Sequence, residues 1–305
     1  MLANKLDLDG LVLPSDVDAL IASLSGPSAH EGLSDTVADK KDEAQQIAFD
    51  AMEAETETDA RKLAKRALRL DPDCVDALVL INDLDAPTPK ARIEGLKKAV
   101  EAGERALGAR FIQENKGHFW LLLETRPWMR ALDRLASDLK EAGLNLDAIG
   151  IYERLLELNP NDNQGVRDPL LGVYLTVGDL KGAAKLLKNY EDDALANFAW
   201  GRVLERFLAG DRAGAKAALE IARAANHHVE HYMTARKPLP KEPPEMYSPG
   251  SEEEAVLLLR NLGGAWAAHK DAALWLFDEL QPIDSEPAQG KRQLKLVPAK
   301  GKRVQ

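Results

Sequence analysis

Ala67-Leu68-Arg69-Leu70-Asp71-Pro72-Asp73 and Leu155-Leu156-Glu157-Leu158-Asn159-Pro160-Asn161 close two segments of the chain in the same way: an apolar helical face, an Asp or Asn, then a proline that cannot continue a helix. Upstream of the second ending, Leu132, Leu135, Ala136 and Leu139 form one stripe at helical spacing. Gly143 permits a turn, and Ala148, Tyr152 and Leu155 face back. The segment is therefore a helical hairpin, and the small side chains at Ala136 and Ala148 let its two axes approach closely. The first ending has the same antecedents: Ala44, Ile47, Ala48 and Ala51 against Ala60, Ala64 and Ala67. A fourth copy runs from Leu170, Leu171 and Tyr174 through Gly178 to Ala183 and Leu187. A fifth runs from Trp200, Val203, Leu204 and Phe207 through Gly210 to Ala215, Leu219 and Ala222, and neither of these has the closing proline.

Endings of this kind, with a period of roughly 34 residues, are the pattern of tetratricopeptide hairpins. A second copy is due between Val75 and Ala102. The pattern there gives a first helix over 75–84, a longer turn at Ala86-Pro87-Thr88-Pro89 and a long second helix over 91–107, a degenerate repeat followed by an inserted segment. Single hairpins cannot bury their apolar faces alone, so they stack, and the wall they form usually holds another protein. The expected fold is all-α: a right-handed α-solenoid of tetratricopeptide-like hairpins with a C-terminal capping helix pair.

Composition agrees with a helical protein. The 305 residues are 45% hydrophobic and 30% charged, with a formal net charge of -10. One cysteine, Cys74, rules out a disulfide framework and a cysteine-based zinc site of usual spacing; as a free thiol it fits a reducing compartment and reads as a small buried packing residue. No apolar run approaches the ~20 residues that a bilayer span needs, and Met1-Leu2-Ala3-Asn4-Lys5 lacks the apolar core of a secretion signal, so a cytoplasmic location is expected. The acidic balance argues against general nucleic-acid binding. The exception is the tail after Pro287, where Lys291, Arg292, Lys295, Lys300, Lys302 and Arg303 stand without acidic partners, as in a solubilising end.

The expected organisation is an arm over 1–40 with one short helix from Asp16 to Leu24, repeats over 41–235, and a crossing over 236–250. A helical cap over 251–281 and a basic tail over 282–305 follow. The crossing is set by Pro238, Pro240, Pro243, Pro244 and Pro249, which cannot continue a helix. Ser251 with Glu254 reads as a capping box, ahead of the stripe Ala255, Leu258, Leu259, Leu262, Ala265 and Trp266 and a second helix through Ala273, Leu276, Phe277 and Leu280.

Three polar stretches stand apart from repeat packing: Gly117 to Arg130, Asn159 to Arg167, and Tyr190 to Asp193. Gly117-His118-Phe119-Trp120 with Leu123-Glu124-Thr125-Arg126-Pro127, then Asn159-Pro160-Asn161-Asp162-Asn163-Gln164-Gly165, then Lys188 with Tyr190-Glu191-Asp192-Asp193, resemble in order the motifs of soluble bacterial relatives of the suppressor of tumorigenicity seven family. Asn226-His227-His228-Val229 with Tyr232, the crossing at Leu239-Pro240 and Pro244, and Gly250 to Val256 resemble that family's later motifs, so the likeness covers roughly 43 to 280. Trp128, His227 and Asp168-Pro169 depart from it. The resemblance implies a tetratricopeptide-like repeat protein without an established enzymatic activity, and it names no partner.

Each stretch has a structural and a functional reading. Glu124, Arg126 and Arg130 either pair as ions that lock a loop or line a groove, where Arg grips a carboxylate or phosphate through its planar fork of donors. Trp120 and Trp128 are either core anchors or, beside arginine, interface hot spots. Asp162 or Asn163 caps the next helix, while Asn163 and Arg167 could clamp a peptide backbone. Glu191 to Asp193 read as an N-cap run before the helix of Trp200. His228 and His231 share a helical face near Glu230, a minimal ligand set whose spacing is common; the expectation is no metal and no cofactor. No nucleophile elbow, phosphate-cradling loop or HExxH motif accompanies His118 and Glu124. The expected function is a non-enzymatic scaffold whose groove, at Glu124, Arg126, Trp128, Arg130, Asn163 and Arg167, takes a protein or peptide. The alternatives are a helical enzyme or metal-dependent regulator around His118 and Glu124 or the histidines near His228, and a nucleic-acid regulator held by the basic tail.

Overall fold

The computed structural model describes residues 35–280; the expected helix Asp16–Leu24 and the basic tail lie outside the described residues. The described residues are all-α, without a strand, and they form the stacked hairpins of the α-solenoid class. They fall into two compact units, divided between residues 170 and 171.

Unit 1 holds three hairpins. The first is α1 (Asp35–Met52) with α2 (Glu57–Leu70), the second α3 (Val75–Asp85) with α4 (Pro89–Leu107), and the third α6 (Arg126–Glu141) with α7 (Asn145–Leu158). The first hairpin closes through alanines: Ala44, Ala48, Ala64 and Ala67 are all fully buried. Thr56 starts α2 by accepting the Asp59 amide at 3.1 Å. Helix α4 begins at Pro89 rather than Ala91, because Thr88 caps it and a proline in a first turn has no hydrogen bond to lose. The first helices stack in series, α1 on α3 and α3 on α6, so one side of the unit is lined by α1, α3 and α6. The inserted segment is α5 (Ala109–Glu114) and two 3-10 turns, Phe119–Leu121 and Leu123–Thr125, placed between the second and third hairpins.

Helix α8 (Arg167–Val177) straddles the division. Unit 2 continues with α9 (Leu180–Asn189), α10 (Ala196–Leu208), α11 (Arg212–Ala225), the short α12 (His228–Met233), α13 (Glu252–Ala268) and α14 (Lys270–Glu279). The turns at Gly143, Gly178 and Gly210 share one geometry: φ of 76°, 75° and 81°, with the next residue's amide reaching back to Leu139, Tyr174 and Arg206. In the last two an aspartate follows the glycine and caps the returning helix, Asp179 on the Gly182 amide and Asp211 on the Gly214 amide.

The C-terminal pair packs along first helices. Helix α13 lies on α10, and its Asn261 carbonyl sits against Gly172 of α8, where a Cβ would come within 2.1 Å of the oxygen. His269, at the start of α14, hydrogen-bonds the Leu175 carbonyl at 2.7 Å. Ser251 caps α13 by accepting the Glu254 amide at 3.2 Å, but Glu254 does not return the bond to complete the box. Its carboxylate is buried and instead takes the Gly250 amide at 2.7 Å, Asn226 Nδ2 at 2.9 Å and the Ala196 amide at 3.2 Å. Glu254 thus caps α10 from another helix. Of the acidic run expected to do so, Asp193 accepts the Leu195 amide, at 2.8 Å.

Candidate partner-binding face

In unit 1 the side formed by α1, α3 and α6 is organised by one buried carboxylate. Asp76 on α3 is 2% exposed. It accepts Gln45 Nε2 of α1 at 2.8 Å, and Arg130 of α6 through Nε at 3.1 Å and through a second, shorter bond from Nη2. The three first helices are therefore tied at one point. Arg130 pairs with Asp76 and not with Glu124 or Arg126; its own side chain remains 46% exposed, with donors left over.

Arg126, Arg130 and Arg134 are spaced by four, so α6 presents them in one row. Arg134 bonds Asp83 of α3 at 3.1 Å with 45% of its side chain exposed. Arg126 is set differently: its guanidinium stacks 4.8 Å from the Trp120 ring centroid and bonds the Trp120 carbonyl at 3.1 Å, with Nε buried and unpartnered. Asp138, on the same helix, receives both forks of Arg92 from α4, at 2.6 and 3.0 Å.

The insertion is anchored by buried contacts. Thr125 is fully buried and its hydroxyl donates toward the Phe119 and Leu122 carbonyls, at 2.5 and 2.7 Å. Phe119 is fully buried and packs on Trp128 with centroids 5.8 Å apart. Trp128 is 1% exposed and its Nε1 donates to the Val100 carbonyl at 3.0 Å, beside Gly103, where a Cβ would meet its ring at 2.3 Å. Trp128 is thus a core anchor, unreachable by a partner, because α4 carries a glycine that admits the indole. Glu124 is exposed on this insertion, as are Leu121 (76%) and Leu123 (69%).

After Pro160 the chain turns with Asp162 in the left-handed region, φ 50°. The Asp162 carboxylate accepts the Val166 amide at 2.8 Å and the Arg167 amide at 3.0 Å, which makes it the cap of α8. Arg167 lies against Asp162, with Nη1 at 3.5 Å. Asn163 is exposed. Burial raises the pKa of Asp162, partly offset by these amides. Burial, then the Asp162 charge, pushes the half-buried Asp133 carboxyl up to about 6.

The site residues expected from sequence thus separate. Arg130 lies on the shared face with Arg134 and Gln45, Glu124 belongs to the insertion, Arg126 starts α6 against that insertion, Trp128 belongs to the core, Asn163 to the turn before α8, and Arg167 is the first residue of α8. Arg134 and Asp76 were not among the expected residues. Continuing the four-residue spacing past Arg130 identifies Arg134; no local signal identifies Asp76.

His118 and Glu124 are both exposed, and no hydrogen bond joins them among the described residues. His227, His228 and His231 gather with ring centroids 4.1–6.5 Å apart, while Glu230 is taken by Arg223 at 2.6 Å. Among the described residues no group of three His, Cys, Asp or Glu side chains is arranged to hold a metal ion, and no helix is long and apolar enough to cross a membrane.

The hairpins, their glycine turns and the serial stacking of first helices define an all-α helical-repeat protein of tetratricopeptide-like hairpins. No family model matches the chain, and no curated protein does. Among solved structures, the crystal structure of MamA protein aligns with 68% of this chain and 100% of its own, at 18% identity and a TM-score of 0.44. PilF of Pseudomonas aeruginosa aligns with 62% of this chain and 93% of its own, at 17% identity and a TM-score of 0.31. These likenesses are distant, and the class rests on the hairpins themselves.

Proposed function

We propose that the protein is a cytoplasmic interaction scaffold that binds an extended segment of a partner protein on the α1, α3 and α6 side of unit 1. The observation that carries this reading is the contrast between the two units. In unit 2 the chain's own α13 lies on α10 and meets α8 at Gly172, whereas in unit 1 α6 presents Arg130 and Arg134 side by side, each about half exposed. Their spare donors match the backbone carbonyls and carboxylates of an extended peptide, and their acidic partners hold the guanidinium planes in place before binding.

Glu124, Arg126, Asn163 and Arg167 flank this row as outer contacts in the proposal, and Trp128 acts by fixing the insertion. The order of motifs resembling soluble relatives of the suppressor of tumorigenicity seven family fits a repeat scaffold, and kinship with that family belongs to this proposal. The free Cys74 favours a reducing compartment.

The test is affinity capture with the full chain, followed by identification of what is retained, repeated with Arg134→Ala combined with Asn163→Ala. A partner held by the native chain and lost by the double variant, with unchanged circular dichroism, supports the face. Equal retention by both removes it.

A further inference from the structure

Helices α12 and α13 are joined by a connector over residues 234–251. We infer that residues 237–244, Lys237-Pro238-Leu239-Pro240-Lys241-Glu242-Pro243-Pro244, are a recognition segment taken in the polyproline II form by an aromatic-lined groove of a partner protein.

The backbone argument comes from the prolines. Each fixes its own φ near −65° and pushes the preceding residue into the extended region, so Lys241 is the one position of the eight left without such restriction. The restriction lowers the conformational entropy lost on docking, and the bend at 241–242 must open for residues 240–243 to take the polyproline II form. Pro240 and Pro243 stand in the P-x-x-P spacing that places two prolines on one side of a three-residue turn.

Exposure supplies the second argument. Every residue from Ala235 to Pro243 is exposed, Leu239 at 49%, and beyond the prolines Met246 (83%) and Tyr247 (46%) are exposed too. A connector that merely crossed a surface would lay its apolar side chains against that surface. This one holds them out while its ends are fastened. The Lys237 amide donates to the His231 carbonyl at 2.9 Å and its ammonium pairs with Glu252. At the far end the Gly250 amide donates to Glu254 at 2.7 Å. The prolines lack amide donors, so the segment is unsuited to augmenting a partner's β-sheet, and a proline-reading groove is the partner that its chemistry fits.

The test uses the full chain labelled with nitrogen-15, titrated separately with a purified SH3, a WW and an EVH1 domain. Amide shifts confined to the non-proline residues of 236–247 with at least one of them, and lost in Pro240→Ala combined with Pro243→Ala while the helical amides stay in place, support the inference. A synthetic peptide of residues 235–249 that displaces the full chain supports it without relying on the variant's fold. No shift with any of the three domains, or equal shifts in the double variant, overturns it.

Discussion

Asp76 and Arg130, 54 residues apart in sequence, meet carboxylate to guanidinium across the stacked first helices α3 and α6, with Gln45 of α1 bound to the same carboxylate. The carboxylate is almost wholly buried while the arginine is about half exposed. Removing the arginine takes the charged partner from a carboxylate that lies deep in the stack, whereas removing both charges leaves none unpaired. Arg130→Ala is therefore expected to cost about 1–3 kcal/mol, below the figure for a fully buried pair because solvent screens the arginine. The double change Asp76→Asn with Arg130→Gln should cost less than Arg130→Ala alone, read as the shift in urea midpoint at constant slope.

Asp133 gives a pH dependence of defined sign. Its folded pKa of about 6 lies above the unfolded value, so between about pH 4 and pH 6 the folded state binds the extra proton. Stability from this group is fully present at the acid end and is lost as pH rises through 6. The groups facing it are Asp162, which raises the value, and Lys140 and Arg134, which lower it. Asp133→Asn should stabilise the protein at pH 7 by about 1 kcal/mol, and it should flatten the slope of stability between pH 4 and 6.

Two glycine-to-alanine changes should act with opposite sign. At Gly172 the new Cβ would stand 2.1 Å from the Asn261 carbonyl, a backbone atom that cannot step aside without moving α13. A loss of about 1–3 kcal/mol is expected, with weakened packing of α13 and α14 visible as faster hydrogen exchange there. Gly150, inside α7, has nothing within 4 Å of the same position. Gly150→Ala should raise the melting temperature, by the roughly 0.5–1 kcal/mol that alanine gains over glycine in a helix.

Cys74 is 4% exposed, its thiol points at the Ala44 carbonyl at 3.7 Å, and burial with nearby Asp71 and Asp76 pushes its pKa up to about 11. In the native protein at pH 8 it should stay protonated and react with an aromatic disulfide reagent only as fast as unit 1 opens. In urea above the midpoint it should react at the rate of a free thiol.

The hairpins were legible because their signals are local: alanine stripes at helical spacing, glycines where the chain must turn left-handed, prolines where it must stop. The same turn at 178–179 and 210–211 also encodes an aspartate cap. The interactions that organise each unit were not legible. Asp76 in unit 1 and Glu254 in unit 2 are buried carboxylates whose partners come from elements far apart in sequence, and no spacing rule connects Gln45, Asp76 and Arg130. Glu254 shows the difficulty most plainly, since a capping-box pattern predicts its amide bond to Ser251 and misassigns its carboxylate. Trp128 was ambiguous for a similar reason: an indole beside arginines fits an interface or a core, and Gly103, on a different helix, makes it core.

The most direct test of the binding face is a photo-crosslinking amino acid placed at Arg134 on α6, compared with the same residue at exposed Lys98 on the second helix α4. Irradiation in the presence of cell extract should give a covalent partner adduct from position 134 and none from 98. An adduct from 98 alone, or equal adducts from both, would contradict a partner seated on the first helices.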